Sequence, residues 1–501
     1  MNRRKFLKVL IAGSAGTVFS KVFAQRSISR TAGKRYLPPM QVNVYSTEIV
    51  LNTRRSYHSG YSGTLSDQIL ANILWAAAQA PLIGTSRTIY VARPDNVYLY
   101  DPVQHDIFLH TAGNHLSESN LAFEVGVACD LIEDAGTALQ FAHLASHSFW
   151  TSSTNQPTCC PKESGRNNAN NTWNPGASIH MVNCYGHRNV SGITNELVAV
   201  SSNGSLPDPS TEGTVLLENA LANLNYGDQF SSIELNLDQL SQLAWASYGC
   251  NPHYAYNGKA GLTAASAVAS YYLTGRIYIV RSEGVERYHI RLPSGQETTR
   301  DHRIETVTSD DRRPQLRSAI ARLPQSAPDY FVFCCESTSR YEILEAGYCA
   351  ASALVQASSI DLQGYFTADF TPAERTAIIN ALSIPGTDLP LFIFSAGQPE
   401  IGINENSKAG LIFIDAKPNP FREKTVITYG LRAPSHVKIT IYDSPGRQIK
   451  TLVNKYQKHG NHSVSWDGTD MKGLRLPNGQ YYFIIQAGQT EYKKKVLKLS
   501  R

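Results

Sequence analysis

Apolar side chains recur at helical spacing twice in this chain, inside the same frame. Leu65, Ile69, Leu70, Ile73 and Leu74, followed by Trp75-Ala76, predict a helix over 65–78 with Asp67 in its first turn. Leu235, Leu240 and Trp245-Ala246 repeat the frame and predict a second helix over 235–248. After each helix the period changes from helical to alternating. Strands are predicted over 88–92 and 97–100, joined by Arg93-Pro94-Asp95-Asn96, and over 276–280 and 285–289 in the second half. Apolar runs at 121–125 and 330–335 then lead to Asp134-Ala135-Gly136 and Glu345-Ala346-Gly347, the latter opening a helix of small residues over 345–357. Further strands are expected at 177–185, 198–200 and 391–394. This mixture makes the body α+β, and the doubled frame makes it an intrachain pseudo-dimer.

The repeats are placed at 47–190 and 216–400, with a polar leader at 25–46 and a connector at 191–215. An Asn-, Ser-, Thr- and Pro-rich stretch at about 151–176 is expected to be an irregular surface insertion. A linker at 401–416 precedes a segment of different character, 417–501. Its strand-like runs at 425–429, 437–442, 462–466 and 481–486 are separated by Ser444-Pro445-Gly446, Trp466-Asp467-Gly468 and Pro477-Asn478-Gly479, which predicts a small β-sandwich.

Charge changes the picture at both ends. The net +5 is misleading, because residues 1–24 hold Arg3, Arg4, Lys5, Lys8 and Lys21 and no acid, leaving 41 basic against 41 acidic groups. Within that balance, 417–501 carries 16 basic and 5 acidic side chains while 25–416 carries 25 and 36. The body is therefore a poor nucleic-acid binder, and the basic tail suits an anionic cell surface or a solvated face. Residues 1–24 combine Arg3-Arg4, a short apolar stretch and Val22-Phe23-Ala24, the pattern of a twin-arginine export signal. Such signals carry proteins that fold, often around a cofactor, before export. The expected location is extracytoplasmic, in the periplasm or at the cell surface, with no transmembrane segment once the signal is removed.

Eight cysteines in an exported chain suggest disulfides, yet folding before export begins in a reducing compartment, so the two arguments balance. Cys129, Cys334, Cys335 and Cys349 lie in or beside apolar stretches and are expected in cores. Cys159, Cys160 and Cys184 could join His143, His147 and His187 in a zinc site, but no C-x-x-C spacing supports it and no metal is expected.

The stretches Leu240 to Ala246, Thr263-Ala264-Ala265-Ser266-Ala267, Gly275 to Val280, Gly284 to Tyr288, Ala327-Pro328, Glu345-Ala346-Gly347 and Gly364-Tyr365-Phe366 resemble the nitroreductase family, on its azoline-dehydrogenase branch. Arg54-Arg55-Ser56 resembles that family's phosphate-binding motif for flavin mononucleotide (FMN), with His58 where another cation usually stands. In physical terms, two guanidinium groups and a hydroxyl suit a dianionic phosphate. The resemblance implies a flavin site shared between the repeats, with Arg54, Arg55, Ser56 and His58 from the first and Thr263 to Ala267 from the second. With Trp75 placed over Trp245, Leu224, Asn225 and Tyr226 face Ala80-Pro81-Leu82-Ile83-Gly84 in the reciprocal site, which lacks both halves. Ala265 and Val268 depart from the family's Pro and Gly. No catalytic residue is singled out. The segment 417–501, from Lys417-Pro418-Asn419-Pro420-Phe421 to Lys493-Lys494-Lys495-Val496-Leu497, resembles flagellar-hook-cap-type Ig-like domains and type IX secretion sorting domains. The resemblances imply an exported FMN oxidoreductase acting on a small-molecule or peptide substrate, served by export machinery and monomeric as a pseudo-dimer. An inactive binding or scaffold protein of the envelope is the alternative.

Overall fold

The computed structural model describes residues 33–150, 155–189, 199–200, 206–254, 260–266, 268, 270–291, 299–400, 411–431, 435–443, 446–458, 460–487 and 490–499. The export pattern at 1–24 and Ala267 lie outside them. Two compact units result, Met1–Glu400 and Ile401–Arg501.

In the first unit, repeat one runs β1 (Lys34–Tyr36), α1 (Thr47–Thr53), α2 (Asp67–Gln79), β2 (Arg87–Ala92), β3 (Asn96–Asp101), β4 (Asp106–Ala112), β5 (Phe123–Cys129), α3 (Ile132–His147), β6 (Asn155–Lys162), α4 (Glu163–Thr172) and β7 (Ile179–Asn189). After β8 (Ala199–Val200), repeat two runs α5 (Leu217–Ala222), α6 (Leu237–Tyr248), β9 (Cys250–Tyr254), β10 (Ala260–Leu262), β11 (Ile277–Arg281), β12 (Gly284–Arg291), β13 (Thr299–Thr308), α7 (Arg313–Ala319), β14 (Asp329–Cys335), α8 (Arg340–Ser359), β15 (Gln363–Ala368), α9 (Pro372–Leu382) and β16 (Leu389–Gly397). The two large sheets share one topology. The order β4-β3-β2-β5-β7-β6 in the first matches β13-β12-β11-β14-β16-β15 in the second, with β1 and β8 added at the edges.

The helices start where the chain supplies caps. Ser66 accepts from the Ile69 N–H at α2, and Asn236, at the corresponding position before α6, forms a capping box with Gln239. A second box, Ser339 with Glu342, starts α8 five residues earlier than its small-residue pattern suggests. α3 and α8 are buried on nearly every face and form the centre of the unit.

The pseudo-dimer is visible at single residues. Ser46 and Leu216 pair with each other, the Thr47 N–H donates to Val215 O at 3.0 Å, and the Leu217 N–H donates to Tyr45 O at 3.1 Å. Ser46 and Leu216 are related by the offset that carries Trp75 to Trp245, and the same offset exchanges the Thr47–Val215 bond with the Leu217–Tyr45 bond. This reciprocity is the mark of a two-fold interface, here enclosed in one chain.

Three expected boundaries move. The leader 25–46 contributes β1, which pairs with β4. The stretch 151–176 is no irregular insertion: β6 and α4 occupy it and correspond to β15 and α9 of repeat two. Pro157 and Pro161 conceal the strand in the sequence, but β6 is an edge strand, where proline is tolerated. Finally, β17 (Leu411–Lys417) takes in the end of the linker 401–416 and pairs with β18 (Thr425–Leu431).

The second unit adds β19 (Ser435–Asp443), β20 (Gln448–Gln457), β21 (Gly460–Trp466), β22 (Gly479–Ala487) and β23 (Thr490–Lys498). Sheets β17-β18-β21 and β20-β19-β22-β23 enclose one core around Ile427, Ile439, Trp466 and Phe483, the expected sandwich. Among the described residues no helix is long and apolar enough to cross a membrane.

Candidate functional site

The loop leaving α1 carries the proposed cations. Arg54 ends the helix, its N–H bonded to Val50 O at 3.0 Å, and its guanidinium turns inward to 4% exposure. Nε and Nη2 donate to the Leu262 carbonyl at 3.2 and 2.6 Å, and Nη1 donates to Ser56 Oγ at 3.2 Å. Burial lowers the Arg54 pKa to about 10, and the groups acting against that shift are phenols and thiols (Tyr271, Cys159, Cys160, Tyr248) rather than carboxylates. A buried cation without a carboxylate partner is costly, and an anion would offset that cost.

The peptide of Arg55 is gripped from both sides by one helix. His147 Nε2 accepts from the Arg55 N–H, and His143 Nε2 donates to the Arg55 carbonyl, both at 3.0 Å. These bonds require opposite tautomers of two neutral imidazoles one turn apart on α3. Burial keeps both neutral, pushing His147 down to about 3 and His143 well below its usual range. Asn251 Nδ2 completes the clamp by donating to Arg54 O at 2.9 Å. The histidines are thus positioning groups, and among the described residues no three His, Cys, Asp or Glu side chains are placed to hold a metal.

The segment from repeat two meets this loop as the pseudo-dimer requires. Leu262, which receives Arg54, precedes Thr263, whose hydroxyl donates to Trp245 O at 2.9 Å. Gln140 of α3 spans the next residues, its Nε2 donating to Thr263 O and its Oε1 accepting from the Ala265 N–H, each at 3.3 Å. Ala264 is buried beside them. Ser266 Oγ accepts from the Tyr271 N–H at 3.2 Å, and Val268 is half-buried. Beneath Ser266 lies Glu345 of α8, fully buried and accepting from the Tyr248 hydroxyl. Burial pushes its carboxyl up to about 7, against the pull of hydrogen bonds from Ser266, Tyr248 and the N–H groups of Tyr272 and Leu273.

Arg54 and Ser56 therefore converge on the 262–266 segment, whereas His58 bonds Cys160 on β6, Nδ1 to Sγ, at 3.4 Å. Gln140 escaped the sequence reading, which named Glu345 only within its Glu-Ala-Gly frame and His143 and His147 only as possible zinc ligands. Buried polar side chains within apolar helical runs were the signal available for Gln140 and Glu345.

The reciprocal position is filled. Ser56 bridges Cys159 and Tyr226 bridges Gly364, so the two loops occupy equivalent places. There the Tyr226 ring stacks on Tyr365 at 5.1 Å and meets Phe366 edge-on at 5.3 Å. Asn225 spends its backbone on Ser358 and Gly364. Leu224 packs against the core. Opposite them the N–H groups of Ile83 and Gly84 are both bonded to the Asp134 carboxylate at 2.8 Å. Asp134 is the counterpart of Glu345 in the repeated Asp-Ala-Gly and Glu-Ala-Gly frame.

No curated protein matches the chain. A protein of Anabaena variabilis assigned to the nitroreductases is 12% identical, with a TM-score of 0.48 over 76% of this chain and 96% of its own. A Ralstonia eutropha protein assigned likewise is 21% identical, with a TM-score of 0.31 over 41% of this chain and 94% of its own. An FMN-dependent nitroreductase of Clostridium difficile is 13% identical, with a TM-score of 0.26 over 36% and 86%. In the second unit, residues 421–491 match the model of the FlgD Ig-like domain.

Proposed function

We propose that this protein is an exported FMN-dependent oxidoreductase with one composite site per chain, transferring hydride to or from a small-molecule or peptide substrate. The observation that carries the reading is Arg54, a buried guanidinium without a carboxylate partner, set beside Ser56 and joined to the backbone just before Thr263. The donor set fits a phosphate: the hydrogen bonds of Arg54 engage three of its five N–H groups, and Ser56 supplies a hydroxyl. Orphaned buried nitrogens nearby, His143 Nδ1 and His253 Nδ1, also suit a polar guest.

Bound FMN would supply the hydride chemistry, and the protein orientation and electrostatics. Arg54, Arg55 and Ser56 would hold its phosphate, while Thr263 to Ala267 would border its ring. Glu345, its carboxyl raised to about 7 by burial, accepts from the Tyr248 hydroxyl behind that border. The twin-arginine pattern supports export. The basic Ig-like unit, with Lys493-Lys494-Lys495, supports attachment to the cell surface or a secretion system.

A second reading, an inactive binding or scaffold protein of the envelope, is favoured by one observation. Thr263, Ala264 and Ala265 are at most 1% exposed, and Gln140 already occupies polar backbone atoms there. The absorption spectrum of protein purified through its export route separates the two: flavin bands that persist through gel filtration support the enzyme, and a colourless protein that refuses added FMN supports the scaffold.

A further inference from the structure

Cys160 of β6 and Cys184 of β7 stand directly opposite each other in the antiparallel ladder, and both are fully buried in one cluster. Opposed Cα atoms in such ladders lie about 4.5–5.5 Å apart, inside the ~4.4–6.8 Å span of a disulfide. Each sulfur also has a titratable neighbour within hydrogen-bond reach. Cys160 Sγ lies 3.4 Å from His58 Nδ1, and Cys184 Sγ donates to Glu124 Oε1 at 3.1 Å. Glu124 is itself buried and held by the N–H and hydroxyl of Ser117. The adjacent Cys159 faces the other side of the sheet: it is opposite Tyr185 and belongs to the larger core cluster. β6 is the edge strand, where opening the pair would break only one strand pairing of the sheet.

We propose that Cys160 and Cys184 form a redox-active dithiol that closes to a cross-strand disulfide, with a small-molecule disulfide as oxidant. Cys160 passes its proton to His58 and attacks one oxidant sulfur, giving a mixed disulfide and expelling a thiolate. Cys184 passes its proton to Glu124 and attacks the Cys160 sulfur, expelling the second thiolate. The protons held by His58 and Glu124 end on the two leaving groups. Two protein thiols are oxidised and one external disulfide is reduced to two thiols. Closure removes Cys160 from His58, which sits on the loop of Arg54 and Ser56, so the redox state of β6 bears directly on that loop.

The test is to equilibrate the full-length protein in buffers of graded oxidised to reduced glutathione, quench with acid, alkylate under denaturing conditions and map the peptides. The expected result is a crosslink between the Cys160 and Cys184 peptides, two hydrogens lighter than the reduced pair and reversed by dithiothreitol. It persists in Cys159→Ser and is lost in Cys160→Ser and Cys184→Ser. Full alkylation of both residues in the wild-type protein at every ratio overturns the proposal, as does a crosslink that disappears in Cys159→Ser. The wild-type map and Cys159→Ser decide the matter even if the other two variants fail to fold.

Discussion

Arg54 of the first repeat donates two hydrogen bonds from its guanidinium to the Leu262 carbonyl of the second, at 3.2 and 2.6 Å. One buried cation thereby joins the two halves of the proposed site, one residue before Thr263. The corresponding position in the other half is Leu224, and the space beside it is taken by the rings of Tyr226, Tyr365 and Phe366. The two-fold frame is retained and the charge is not, so the asymmetry lies in side chains rather than in the fold.

Replacing Arg54 by Ala weakens FMN binding by more than tenfold, since each charge-assisted hydrogen bond lost costs about 1.5–3 kcal/mol. Arg54→Lys restores only part of the affinity, because an ammonium cannot reproduce the guanidinium fork. Titration followed by flavin fluorescence, with circular dichroism as a check on folding, measures both. Unchanged affinity in Arg54→Ala places the phosphate elsewhere.

Gly136→Ala destabilises the first unit. A Cβ there would sit 2.7 Å from the Leu344 carbonyl oxygen and 3.1 Å from the Gly347 Cα, at the crossing of α3 and α8. Overpacking of this kind costs about 1–3 kcal/mol, more than offsetting the roughly 1 kcal/mol gained in helix propensity. Gly386→Ala, where nothing lies within 4 Å, is the control and stays within about 0.5 kcal/mol of wild type. Urea denaturation compares them, and equal midpoints for the two variants would remove the close crossing.

Glu345 gives stability a pH dependence of known sign. Its carboxyl, ordinarily at 4.5, is raised to about 7 in the folded state. The folded protein therefore keeps a proton that the unfolded chain releases, and this stabilisation is fully present below pH 4.5 and lost as pH rises through 7. The loss amounts to about 3 kcal/mol. Glu345→Gln keeps an acceptor for the Tyr248 hydroxyl and flattens this slope. Denaturation curves across the window check it, and parallel slopes for wild type and variant contradict it.

The legible parts of the fold were those with repeated side-chain patterns. The Trp75 and Trp245 frames set the offset that brings Ser46 to Leu216 and Ser56 opposite Tyr226 in kind. Beyond the hairpins the offset grows, because Gly136 faces Gly347, and repeat two holds the long β13 and α7 before β14. The strand β6 and helix α4 were hidden by composition. Two prolines sit on an edge strand, and the Asn-rich α4 buries little beyond Gly165 and Ala169. In the site, Arg54 and Ser56 were legible through the resemblance of Arg54-Arg55-Ser56 to a phosphate-binding motif. The grip of His143 and His147 on the Arg55 peptide was not, since it depends on tertiary placement of α3.

The second unit is expected to be separable. It has its own core around Trp466 and clusters apart from residues 1–400. A chain truncated after Glu400 keeps its fold and binds FMN with unchanged affinity, and residues 401–501 alone show the near-UV signature of a packed Trp466. Loss of folding or of FMN in the truncated chain would make the Ig-like unit part of the functional core.

The central claim is one asymmetric composite site per chain, and the stoichiometry of FMN bound to the apoprotein tests it most directly. Isothermal titration, with flavin absorbance of the saturated protein as an independent count, is expected to give one FMN per chain, bound more than tenfold more weakly in Arg54→Ala. Two equivalent sites, or saturation of a single site that persists undiminished in Arg54→Ala, would contradict it.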